Sequence, residues 1–167
     1  MKNTLLVLAA ILIIGWFVIR PAIASADDSD RPTATAGDET SFDAALKKAA
    51  TEHKRVLLGF SGSDWCHWCQ VMDREVLSTA DFKAYADQHL VVLIADFPAR
   101  RQLPDDVAAQ NNFLKNRYRV DGYPTFVVLS PQGAEIDRVS GYVRGGPQAF
   151  ISILKRTESA ENASAQK

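Results

Sequence analysis

Between Ser41 and Thr157 the chain alternates between two hydrophobic rhythms. Phe42, Ala45, Leu46, Ala49 and Ala50 follow the i, i+3, i+4 spacing of one helix face behind a Thr40 or Ser41 cap, which predicts a helix to about His53. Arg55 to Phe60 is a short apolar run of the kind buried on both sides of a sheet. After the polar stretch Ser61-Gly62-Ser63-Asp64 the pattern turns helical from about Cys66 to Leu77, and Ser78 or Thr79 can cap a further short helix over Asp81 to Gln88. Leu90 to Ile94 reads as a second buried strand. Pro98 and Pro104 bracket a basic loop ahead of a helix over Asp105 to Tyr118, and Thr125 to Leu129 is a third strand behind Tyr123-Pro124. Pro131-Gln132-Gly133 is a turn into a fourth strand, Ala134 to Val139, and Pro147 fits the first turn of a last helix ending near Arg156. Such alternation predicts an α/β domain with a central mixed sheet, helices on both faces and a closing antiparallel hairpin.

The flanks follow different rules. Met1 to Ala26 combines Lys2, an apolar run from Thr4 to Ile19 and a small-residue stretch at Ala22 to Ala26, the pattern of a cleaved export signal. As a helix, residues 4–19 reach roughly 24 Å, short of the ~30 Å hydrocarbon core. Arg20, directly after the run, is unusual before a cleavage site and leaves an uncleaved N-terminal membrane anchor with Lys2 inside as the alternative. Both readings place the remainder outside the inner membrane, periplasmic or secreted, and any membrane contact is expected through residues 4–19 alone. Residues 27–40 are polar and lack large apolar side chains, so they read as a flexible linker, and residues 158–167 read as a disordered tail. The 117 residues from Ser41 to Thr157 suffice for one compact domain.

Composition narrows the chemistry. The chain of 167 residues is 47% apolar and 23% charged, an ordinary globular balance. Its 19 basic and 20 acidic residues give a net charge of -1; setting aside Lys2 and Arg20 leaves 17 against 20, or -3. Neither value provides the clustered positive excess that nucleic-acid binding needs. Two cysteines exclude a multi-disulfide scaffold and a four-thiolate metal site, so any redox chemistry rests on one pair.

That pair is Cys66 and Cys69, within Trp65-Cys66-His67-Trp68-Cys69, between a buried strand and a helix start. Cysteines three apart at a helix start share a face with Cα atoms about 5 to 6 Å apart, within disulfide range. Helix N–H groups and the dipole favour a thiolate at Cys66, whose pKa is expected below the free value of about 8.5, making Cys66 the nucleophile and Cys69 the resolving thiol. His67 adjoins Cys66 and can favour the thiolate when charged or accept a proton when neutral. No cofactor is required, and no second ligand cluster completes a metal site around Cys66, Cys69 and His67. Haem attachment needs a histidine after the second cysteine, where Gln70 stands.

These residues resemble the thioredoxin superfamily, and more narrowly its secreted bacterial thioredoxin-like members. The resemblance rests on Phe60-Ser61-Gly62-Ser63-Asp64-Trp65 ahead of the cysteines, Ala95-Asp96-Phe97-Pro98, Gly122-Tyr123-Pro124-Thr125, Gly141-Tyr142 and Gly145-Gly146-Pro147. The run Cys66 to Met72 is also similar to the thioredoxin-like domain at the front of some larger proteins with helical barrels. The resemblance implies a thioredoxin fold, a redox-active pair at Cys66 and Cys69, and a cis Tyr123–Pro124 peptide facing it. Tyr123, Pro124 and Thr125 would then offer an edge to an extended substrate chain. It also implies an exported protein-disulfide oxidoreductase whose partners are cysteine-containing exported proteins or small disulfides, together with an electron donor or acceptor. Many thioredoxins carry a buried carboxylate on the strand before the pair; the nearest counterpart here is Gly59, leaving water, His67 or Asp64 to move a proton.

Other readings accompany these. The pair can be a structural disulfide in a thioredoxin-fold module that binds peptides without catalysis, although so small a loop adds little stability by chain entropy. Trp65 and Trp68 can be core residues or exposed substrate contacts. His53 and His89, near helix ends, are read as solvated or capping groups, and Arg100 and Arg101 as a solvated loop face or a docking patch.

Overall fold

A computed structural model of the chain describes residues 41–165. Within it α1 spans Phe42–Glu52, β1 Arg55–Ser61, α2 His67–Met72, α3 Ala80–His89, β2 Leu90–Asp96, α4 Asp105–Arg117, β3 Thr125–Leu129, β4 Glu135–Ser140 and α5 Gly146–Ala165. The four strands form one sheet in the order β2-β1-β3-β4. β1 runs parallel to β2 and antiparallel to β3, and β3 and β4 form the closing hairpin. This is the thioredoxin fold, a mixed sheet between helical layers. The expected export segment and linker lie outside the described residues. Among those described, no helix is long and apolar enough to cross a membrane.

The alternation of β1 divides the core. Val56, Leu58 and Phe60 point into one cluster with Phe42 and Ala49 of α1 and Leu114 of α4. Leu57 points into the other, with Met72, Phe82 and Tyr85 of the helical layer and Phe150 and Leu154 of α5. Each such fully buried large apolar side chain contributes on the order of 1.5–3 kcal/mol. Because β1 is covered on both faces, its loop-ward end is a rigid platform, and the chain leaves it at Ser61 directly into the cysteine segment.

Helix ends follow their caps. Ser41 Oγ accepts the Ala44 N–H at 3.1 Å and Thr79 Oγ1 the Phe82 N–H at 3.3 Å. His53 closes α1 in the left-handed region with φ of 54°. Two boundaries depart from the hydrophobic pattern. The helix expected from Cys66 to Leu77 is regular only to Met72 and continues over Asp73–Leu77 as a π-helical turn, in which the Ser78 N–H reaches the Asp73 carbonyl at 2.8 Å. Instead of ending near Arg156 and giving way to a disordered tail, α5 runs on to Ala165. Its extension starts with Glu158, which accepts a bond from the buried Arg55 of β1 at 3.2 Å, and with Thr157, whose hydroxyl donates to Asp137.

Candidate active site

The segment between β1 and α2 is held by side chains reaching across to the exit of β2. Asp64 accepts the backbone N–H groups of Ala99 and Arg100 at 2.8 and 2.7 Å. In the opposite direction, Asp96 accepts the Ser63 N–H at 2.9 Å, the Ser63 hydroxyl at 2.6 Å and the Arg101 guanidinium at 2.6 Å. The bond from Ala99, joined by that from Arg100, holds the Asp64 carboxyl below its usual range. The Trp65 indole N–H donates to the Phe97 carbonyl at 2.8 Å. Its ring lies over Gly62, where a Cβ would stand 2.4 Å from the indole, so only glycine fits beneath it.

This frame delivers Cys66 to the start of α2. Cys66 is the N-cap, in extended conformation, and its Sγ accepts the Cys69 N–H at 3.2 Å while its carbonyl accepts the N–H groups of Cys69 and Gln70, both at 3.1 Å. The two cysteines are joined in a disulfide with Cα atoms 5.2 Å apart. They are 8% and 4% exposed, Cys69 the deeper. The Cys69 N–H, shared between the Cys66 carbonyl and Cys66 Sγ at the helix start, favours negative charge on that sulfur once the bond opens.

Around the pair stands an aromatic rim. Trp65 and Trp68 are each 50% exposed, so neither is a core residue. Trp65 meets the Tyr123 ring edge-on at 5.8 Å, and Tyr123 stacks on Phe97 at 5.3 Å with the Lys115 ammonium over both rings. On the other side Trp68 stacks on Tyr142 at 5.4 Å, and the Tyr142 hydroxyl donates to Glu75 at 2.7 Å. That bond lowers the Glu75 carboxyl, aided by Arg74, and raises the Tyr142 phenol. The exposed His67 meets Trp68 edge-on, at 5.2 Å between rings.

The Tyr123–Pro124 peptide is cis. Pro124 lines, together with Cys69, a cleft of about 310 Å3 behind the pair. The neighbouring Thr125 is buried, and its hydroxyl donates to the Gly122 carbonyl at 2.8 Å, so its side chain serves the turn and not the open surface. His53 and His89 lie at helix ends away from this rim, the latter stacked on Tyr85 at 4.5 Å and 3.7 Å from Glu158. Arg101 is tied to Asp96, whereas Arg100 is held through its backbone. The motifs contain Phe97 and Tyr142 without giving either a role at the site, and they leave out Lys115. Gly141-Tyr142 and Phe97-Pro98 stand in the sequence as turn-like segments, but only the folded chain brings their rings beside the tryptophans.

A disulfide spanning two residues, capping a helix at the end of the central strand of this sheet, defines a thioredoxin-fold thiol–disulfide oxidoreductase. Comparison with known proteins agrees with that class. The chain belongs to the thioredoxin-like domain family, whose model matches residues 42–158. It is 36% identical over 126 residues to the disulfide bond reductase DsbH of Chlamydia pneumoniae, covering 75% of each protein. It is 32% identical over 132 residues to the thiol:disulfide interchange protein DsbD 2 of Pseudomonas aeruginosa, of which it spans 21%. Among solved structures, a DsbH oxidoreductase superposes with a TM-score of 0.67 at 34% identity, covering 70% of this chain and 81% of that one. The reduced C-terminal domain of Neisseria meningitidis DsbD, at 0.51 and 23% identity over 72% of this chain and 96% of that one, shares the fold.

Proposed function

We propose that the protein is an exported reductase of disulfides in other exported proteins or in small molecules. Cys66 is the attacking thiolate and Cys69 resolves the mixed disulfide. Trp65 and Trp68 give apolar contact to the substrate, His67 tunes the thiolate, and Tyr123 to Thr125 supply the edge along which the substrate lies. The observation that carries this reading is the Cys66–Cys69 disulfide, 5.2 Å between Cα atoms, with the Cys69 N–H aimed at Cys66 Sγ inside a rim of two half-exposed tryptophans. The likeness to a disulfide bond reductase supports the reducing direction, and the apolar run of residues 4–19 supports export. A reductant dithiol must then regenerate the pair.

The test is a redox titration of the Cys66/Cys69 pair in glutathione buffers, paired with insulin-disulfide reduction. A potential more reducing than the glutathione pool, and loss of reduction in Cys66→Ala, are the expected results. Cys69→Ala should accumulate mixed disulfides through Cys66. Unchanged insulin reduction in Cys66→Ala would leave a peptide-binding module with a structural bridge.

A further inference from the structure

The two tryptophans of the rim are held in different ways. Trp65 is pinned by the hydrogen bond from its indole N–H to the Phe97 carbonyl and by the seat of its ring over Gly62. Trp68, in the first turn of α2, has no such tether: among the described residues its indole N–H makes no hydrogen bond. Its aromatic contacts are His67, met edge-on, and Tyr142, stacked at 5.4 Å with 19° between the ring planes. An exposed side chain at a helix start exchanges rotamers unless a neighbour favours one of them. For Trp68 the neighbour that lies flat against the indole is Tyr142.

Tyr142 is itself fixed at three points. Its side chain packs on the core cluster that holds Met72, Val76 and Phe150. Its hydroxyl donates to one oxygen of Glu75 at 2.7 Å, and the other oxygen takes the Arg74 guanidinium at 3.0 Å. A hydrogen bond to an ionised carboxylate is stronger than a neutral one, so the phenol end is held firmly. The backbone is anchored next door: Gly141, at φ of 84°, donates its N–H to the Pro124 carbonyl at 2.8 Å, which ties the loop between β4 and α5 to the cis-proline turn. Glu75 belongs to the π-helical turn that follows α2, so both ends of the stack, Trp68 directly and Tyr142 through Glu75, are referred to the same helical segment. One face of the indole is covered by this clamp. The half of Trp68 that stays exposed is a flat apolar surface two residues from Cys66.

We propose that Tyr142 is a positioning residue that locks Trp68 as a recognition platform, so that the protein favours disulfides whose cysteines have a large apolar or aromatic neighbour over those that have none. The proposal rests on the dithiol-exchange reading above and adds to it a substrate class. A substrate ring laid on the open indole face gains an aromatic contact beyond the area it buries. Because Tyr142 has already selected the orientation of Trp68, that contact forms without the entropy cost of ordering the indole at the moment of binding. Tyr142 acts through Trp68 and needs no contact with the reacting sulfurs. The clamp therefore bears on how well such a substrate binds and leaves the exchange step itself as it is.

The test mixes the pre-reduced full-length protein with increasing amounts of either of two peptide disulfides, one with phenylalanine beside each cysteine and one with glycine there, and reads the half-saturating concentration and the limiting rate of oxidation. Wild type should half-saturate with the phenylalanine peptide at a concentration at least about fivefold lower, since fixing one mobile side chain in advance is worth about two- to twelvefold in affinity. In Tyr142→Ala that concentration should rise about fivefold, while the limiting rate and both values for the glycine peptide stay within about twofold of wild type. Tyr142→Phe, which keeps the stack and loses the Glu75 bond, should fall between the two. In protein labelled with 5-fluorotryptophan, the fluorine resonance of Trp68 should move in Tyr142→Ala and that of Trp65 should not, which also reports that the variant is folded. An unmoved Trp68 resonance, equal losses with both peptides, or a loss confined to the limiting rate overturns the proposal. If reduced wild type oxidises with neither peptide, the exchange reading falls and the proposal with it; oxidation by both without preference removes the platform alone.

Discussion

Replacing Gly59 by alanine is a sharp test of how the sheet is packed behind the cysteines. Gly59 lies mid-strand in β1, opposite Ile94 of β2 and Phe126 of β3. A methyl group there would approach Ile94 Cδ1 to 2.6 Å and the edge of Phe126 to 3.1 and 3.2 Å. Ile94 is 42% exposed and can swing aside into the cleft, whereas Phe126 is buried and packs edge-on against Phe150 at 5.1 Å. Overpacking of this kind costs about 1–3 kcal/mol, and relief of glycine's backbone entropy returns about 0.5–1 kcal/mol. The net expectation is a loss of about 1 kcal/mol, or roughly 3–5 °C in Tm for a domain of this size. Urea unfolding of the oxidised protein, with an unchanged m-value, measures it. Trimming the neighbour should relieve the clash, so Gly59→Ala with Ile94→Ala should be more stable than the sum of the single changes by about 0.5–1 kcal/mol. An alanine variant as stable as wild type, or a strictly additive cycle, would refute the packing argument.

Arg55, with a nearly buried side chain, bonds the Leu154 carbonyl at 2.9 Å and the Tyr85 hydroxyl and Glu158 at 3.2 Å each. Arg55→Met should therefore destabilise by about 2–4 kcal/mol in urea unfolding and speed amide exchange at the end of α5, and Arg55→Lys should recover less than half; a loss below about 0.5 kcal/mol contradicts this. Tyr142→Phe removes the hydroxyl that lowers the Glu75 carboxyl. Because a depressed carboxylate stabilises the fold above its unfolded pKa of about 4.3 and loses that effect as pH falls through its folded value, the Tm gap between wild type and variant should be widest near neutrality. It should close toward pH 3, and a gap of constant size would show that the bond is not to an ionised Glu75.

How much of this was legible from the residues varies with the range of the interactions involved. β1 and β3 stand out because strands buried on both faces leave unbroken apolar runs, and α1 and α3 because Ser41 and Thr79 are local caps. The cysteine pair was readable for the same reason: its spacing and its place after a buried strand are local facts. The π-helical turn was not, since one i−5 bond from Ser78 to Asp73 replaces i−4 bonds without altering which residues are apolar. Extension of α5 was hidden because the partner that holds Glu158 is Arg55, 103 residues away. Asp64 reads in sequence as a free acid near the cysteines, yet loop closure commits it to Ala99 and Arg100. Thr125 reads as part of a binding edge, yet its hydroxyl turns inward to Gly122. For Glu158 and Asp64 a residue type suggests a capacity and a partner far along the chain decides its use; for Thr125 the partner is local but set by the turn.

The crossed carboxylates of Asp64 and Asp96 make the cysteine loop and the 97–101 loop a plate fixed by two pins. One pin lets a plate swing; two hold its angle. Loss of either carboxylate should leave the loops attached but free to pivot about the other, carrying the Trp65 indole and its Phe97 tether with them. The angle at which Trp65 faces an incoming chain is thus set jointly by two acids, one in the cysteine loop and one at the end of β2. Removing the second acid after the first should do far less to that angle than removing the first.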